Sequence, residues 1–118
     1  NYHGSASLSY DLGPIGLSAA YAVGAYPYTS PVGSFTANGY GLNDMAGNVW
    51  QWCWDFSGAY DTASPTDPRG AASSSNRVLR GGSWDGTANN CRVAFRCYDV
   101  PSDLYYHIGF RVARSLVP

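Results

Sequence analysis

Fourteen glycines and seven prolines among 118 residues interrupt this chain so often that a long helix has no room to form. Glycine weakens helices and strands, and proline removes a backbone donor. The sequence therefore reads as a loop-rich α+β or irregular β unit, the size of one domain or part of one. Apolar residues make up 45% and aromatic residues 15%, enough for a packed core rather than a disordered tail. Seven arginines without lysine face eight aspartates without glutamate, for a net charge of −1. That balance opposes a phosphate-binding surface, so no nucleic acid partner is expected. No apolar run approaches the roughly 20 residues of a membrane span, and no basic leader precedes a hydrophobic segment. Cys53, Cys91 and Cys97 are odd in number, so at least one thiol is free unless it pairs with another chain. Their spacing with His3 and His107 does not make a structural zinc site.

The first forty residues are mostly Gly, Ser, Ala and Tyr, read as loop, with a short helix or strand conceivable over Ile15 to Val23. Pattern begins at Asn48. Trp50, Trp52 and Trp54 alternate with Gln51, Cys53 and Asp55, a period of two that puts three indoles on one strand face. That face is expected to be a buried core wall rather than a ligand-stacking platform. Phe56 to Asn76, with the run SPTDPRGAASSSN, reads as an excursion over the surface, and RVLRGGSW as a strand entering a Gly-Gly turn. Two further alternating runs, Cys91 to Tyr98 and Ile108 to Ala113, read as strands. The loops DGTANN and DVPSDLYYH adjoin them.

GYGLNDMAGNVWQWCWD, then RVLRGGSW, then IGFRVAR, in that order, resemble the C-terminal half of the formylglycine-generating enzyme (sulfatase-modifying factor) domain family. The likeness runs from about Tyr26 to Arg114. It implies a C-type lectin-like fold with short β-strands and a long, closely packed loop system. It also implies that residues 1–118 are the C-terminal portion of one such domain, whose N-terminal half is the expected first partner.

In the formylglycine-generating members, two cysteines soon after GGS carry a copper-dependent oxidation, and copper(I) suits soft thiolates. Aligned on GGSW, these positions fall on Gly86 and Cys91. A glycine supplies no thiolate, so the oxidase is the alternative here and a non-enzyme is expected, with no required cofactor. The resemblance also raises a calcium site, with oxygens from Asp44, the carbonyls of Gly47 and Val49, and Gln51. Calcium takes six to eight oxygens and favours carboxylates. Gln51 stands where the family more often has glutamate, and without the ion Asp44 and Asn48 would cap the turn into the tryptophan strand.

A non-catalytic branch of the family comprises the variable proteins of diversity-generating retroelements, whose template asparagine codons are rewritten at adenines. Arg80 to Trp84, Ala88 to Asn90, Arg92, Ala94, Arg96 and Ile108 to Arg111 match the fixed frame of such a template. The positions that would be rewritten, in a variable segment of about 85–107, begin with Asp85, Gly86 and Thr87. They continue with Phe95, Cys97, Tyr98, Asp99 and Val100, and end with Asp103, Leu104, Tyr105, Tyr106 and His107. Randomising both adenines of an asparagine codon reaches every one of these residues but never Trp, Met, Lys, Glu or Gln. Large rigid aromatics beside small polar groups also make good binding loops. Core filling is the competing role, strongest for Phe95 and Cys97.

The sequence thus points to a ligand-binding module that recognises an unknown protein or surface ligand, placed at a cell or phage surface by family analogy. Generic sugar binding is weaker, because no Glu-Pro-Asn or Gln-Pro-Asp type motif is present.

Overall fold

A computed structural model describes residues 20, 21, 24, 27–60, 66 and 68–114. The expectation for Ile15 to Val23 lies almost wholly outside these residues, as does His3.

Four strands form one sheet: β1 (Trp50–Phe56), β2 (Arg77–Arg80), β3 (Cys97–Asp99) and β4 (Ile108–Gly109), in the order β3-β2-β1-β4. β1 is the tryptophan strand, where aromatic residues fit a pleated, half-buried surface. It pairs antiparallel with β2, Gln51 opposite Arg80 and Trp52 opposite Leu79. On its other side it pairs parallel with β4, Trp50 opposite Ile108. β2 pairs antiparallel with β3, Val78 opposite Tyr98. The Gly-Gly turn after β2 is present, with φ of 94° at Gly81 and 75° at Gly82. A Cβ at Gly82 would also sit 2.7 Å from Cys91 Sγ, so both backbone and space demand glycine there.

The expected core wall is present only at one end. Trp50 is buried and Trp52 half-buried, but Trp54 is 86% exposed. β4 pairs with only Trp50 and Gln51 of β1, and apart from β2 the far end of the strand meets only isolated bridges from Phe56 to Gly70 and Ala71 among the described residues. Trp54 stands opposite Arg77, whose guanidinium lies 4.9 Å from the Trp54 ring and 3.6 Å from Phe56. The core is instead Trp50, Val78, Leu79 and Trp84, with Ser83 fully enclosed beside them.

The strand expected over Cys91 to Tyr98 begins only at Cys97. A 3-10 helix, Ala88–Cys91, comes before it. The Asn90 side-chain carbonyl accepts from the Thr87 amide at 3.0 Å, a local bond that competes with strand pairing. Arg80 then donates to the carbonyls of Val93, at 2.6 Å, and Phe95. Likewise the final strand stops at Gly109, leaving Phe110 and Val112 exposed.

Candidate functional site

Trp84 is the floor of the site, 3% exposed at the end of the Gly-Gly turn. Its amide donates to the carbonyl of Asn48 at 2.8 Å. Asn48 in turn exchanges two side-chain bonds with the Ser30 backbone, at 2.9 and 3.1 Å. Tyr28 meets the Trp84 indole edge-on at 5.4 Å. Tyr106 lies against it at 5.8 Å and is 63% exposed.

Around this floor two separate loops meet. Tyr105 stacks on His107, centroids 5.2 Å apart and planes 4° from parallel, while Tyr106 approaches the same imidazole edge-on at 5.1 Å. His107 Nδ1 lies 3.1 Å from Asp85 Oδ2, within ion-pair range though off the line of a hydrogen bond. Ser83 Oγ holds the other Asp85 oxygen. Gly86 donates to the Ser83 carbonyl at 3.1 Å, and Thr87 leads into the 3-10 helix. Asp85 to Thr87 and Tyr105 to His107 thus form one patch.

The remaining predicted positions sit apart. β3 occupies the sheet edge opposite β4, three strand spacings or about 14 Å away. There Tyr98 is 60% exposed opposite Val78, whereas Cys97 is half-buried opposite Leu79. The Asp99 carboxylate accepts from the Val100 amide at 2.9 Å. Asp103 donates its amide to the Val100 carbonyl at 3.0 Å, which turns the chain toward the exposed Leu104. Phe95 is half-buried, its ring 6.1 Å from that of Trp50.

One feature had no signal in the sequence. On the Val78 face of the sheet, a cleft of about 700 Å³ is bounded by Cys53, Asp55, Tyr60, Arg80 and Arg96 among others. Only the fold brings these distant segments together. Burial, reinforced by Asp55 and opposed by Arg80, pushes the Cys53 thiol up from its ordinary value. A raised thiol stays protonated and is a poor nucleophile at neutral pH.

The calcium set does not fit its ion. Gln51 Oε1, one of the four expected oxygens, accepts from Arg111 Nε at 2.6 Å, and Gln51 Nε2 donates to the Asp44 carbonyl at 3.0 Å. Asp44 Oδ2 accepts from the Gly33 amide at 2.7 Å, and only Asp44 Oδ1 is buried without a partner. Among the described residues no three His, Cys, Asp or Glu side chains converge as a metal-binding group. No helix among them is long and apolar enough to cross a membrane.

Residues 14–116 match the model of the sulfatase-modifying factor enzyme 1-like domain. The formylglycine-generating enzyme of Streptomyces coelicolor is 48% identical over 92 residues, covering 74% of this chain and 29% of that protein. The inactive C-alpha-formylglycine-generating enzyme 2 of Mus musculus is 42% identical over 92 residues, covering 73% of this chain and 26% of that protein. Among solved structures, Treponema denticola variable protein 1 superposes with a TM-score of 0.65 at 45% identity, covering 70% of this chain and 30% of the other. The chain therefore spans about three tenths of the length of these relatives. The loop-rich, short-stranded, C-type lectin-like fold implied by the motifs is the fold of this chain.

Proposed function

The chain belongs to the sulfatase-modifying factor enzyme 1-like domain family, and within it we propose a ligand-binding role without catalysis, that of a diversity-generating retroelement variable protein. The observation that carries this reading is the patch on Trp84. Tyr105 and Tyr106 are exposed there, ordered by His107 and Asp85, on two loops that no long strand constrains. Ordered, exposed aromatics present large contact area at low entropic cost, which is the physics of a binding loop. The likeness to a solved variable protein supports the same reading. The ligand is a protein or surface component met at a cell or phage surface, and Tyr98 and Leu104 extend the contact area beyond the patch. A standard interface needs about 800 Å² per partner, more than the Trp84 patch alone offers.

The oxidase alternative rests on Cys91 and on the enzymes among the relatives. Against it stands Gly86, which offers neither a second thiolate for copper(I) nor a mixed disulfide with a substrate cysteine. Incubating the full chain and its Cys91→Ser variant with copper(I), oxygen and a cysteine-bearing sulfatase peptide tests the two readings by mass spectrometry. We expect no formylglycine from either protein. Conversion by the wild type that Cys91→Ser abolishes would overturn the binding-only reading.

A further inference from the structure

The loop entering β1 turns on Asp44 (φ 56°), Gly47 (φ 77°) and Asn48 (φ 67°), so two non-glycine residues stand in the left-handed region. Backbone held there crowds carbonyl oxygens together and persists only when surrounding bonds over-determine it. A positive charge that donates hydrogen bonds is one way to hold such oxygens. We propose that the Arg111 guanidinium is that charge in this chain, in place of a calcium ion, and that Gln51 is the residue that adapts the loop to it.

Arg111 reaches back from beyond β4 and donates from Nη2 to the carbonyls of Asn43, at 3.1 Å, and Asp44, at 3.0 Å. Its Nε donates to Gln51 Oε1, and Gln51 Nε2 donates onward to the same Asp44 carbonyl. The three residues close a ring of hydrogen bonds that needs both ends of the amide. A glutamate at 51 would accept from Arg111 but has no proton for Asp44 O. The same bonds commit Gln51 Oε1, one of the four expected oxygens, to a guanidinium that is positive at any accessible pH, and turn the Gln51 N–H₂ to the Asp44 carbonyl. What remains of the set is one carboxylate oxygen, Asp44 Oδ1, and two main-chain carbonyls, well short of six to eight ligands. The rest of the loop is held from elsewhere: the Gly47 amide donates to the Gly81 carbonyl at 2.7 Å.

The test is thermal unfolding and calorimetric titration of the full chain, stripped with EDTA and then given millimolar CaCl₂, beside Asp44→Asn. That variant removes the one carboxylate, with its one unpartnered oxygen, from a calcium set yet keeps the main-chain carbonyl that Arg111 uses. The expected result is a Tm that calcium does not raise in either protein. Binding that is equal in both places the ion elsewhere and also agrees with the assignment. A calcium-dependent rise in Tm that Asp44→Asn abolishes would overturn it. Arg111→Gln supplies the converse: its Tm is expected to fall by the same amount in EDTA and in calcium, and a variant as stable as wild type would refute the role given to the guanidinium.

Discussion

Replacing Trp84 and Tyr106 by alanine, one at a time, separates a fixed frame from an exchangeable surface, because the two rings touch yet differ in burial. Trp84 is 3% exposed, so nearly all of an aromatic side chain of ~150–250 Å² leaves water on folding. At ~25 cal/mol per Å² the transfer amounts to roughly 4–6 kcal/mol, and large-to-small aromatic changes cost about 3–5 kcal/mol in practice. Tyr106 is 63% exposed, so about a third of its area counts, at most ~2 kcal/mol before the side-chain entropy it regains. Urea unfolding followed by circular dichroism reads the difference. With a slope of about 2 kcal/mol per molar, Trp84→Ala lowers the midpoint by about 2 M and Tyr106→Ala by well under 1 M, at unchanged slope. Equal losses at both positions would mean that Tyr106 is core, and the division between frame and surface would be wrong.

The Cys53 thiol gives a pH signature. Its value in the folded protein is raised above 9.0 by burial and by Asp55, against Arg80, so the unfolded chain ionises this thiol first. Its contribution to stability is fully present below about pH 9 and is lost as pH rises through the folded value; a stability difference between wild type and Cys53→Ala that stays constant with pH would refute this. Gly82→Ala forces a Cβ against Cys91 Sγ at φ 75° and is expected to cost more than about 1 kcal/mol in urea unfolding, where a neutral result would show that the turn can relax.

The motif frame and the strands it contains were readable because they depend on local period and turn chemistry. WQWCWDF alternates and forms β1, and the Gly-Gly pair turns where RVLR ends. Trp54 departs from the expected core wall because its exposure depends on what packs over the far end of β1, a long-range property that no window around Trp54 contains. The Cys91 to Tyr98 run alternates like a strand, yet its first residue closes a 3-10 helix in which Asn90 Oδ1 accepts from the Thr87 amide and hydroxyl. Of the positions expected to bind, Tyr98, Tyr105 and Tyr106 are exposed, as their aromatic and polar neighbourhood in the sequence suggested. The meeting of Asp85 with His107 was not legible, since it requires two loops to be brought over one tryptophan.

The hydrogen bonds of the frame bear on the proposed role, which requires a surface whose side chains can change without unfolding its support. Arg80 binds the carbonyls of Val93 and Phe95, Arg92 that of Asn89, Arg96 that of Gly58, and Arg77 that of Trp54. The Trp50 amide likewise donates to the His107 carbonyl at 2.7 Å, and the Ile108 amide to Tyr105 at 3.2 Å. Every one of these acceptors is main chain, and every residue offers the same carbonyl whatever its side chain. Exchanging the side chain at 95 or 105 therefore removes none of these main-chain bonds, and at 107 it costs the contact with Asp85 but leaves the bond to the 107 carbonyl. A buried donor left unpaired costs about 1–3 kcal/mol, so a frame that satisfied its arginines with loop side chains would lose up to that much at each exchange. Where a loop is held by its carbonyls instead, as around Phe95 and Tyr105, the cost of an exchange is confined to the side chain's own packing; at Asp85 and Asp99, whose carboxylates accept hydrogen bonds, an exchange also removes those bonds.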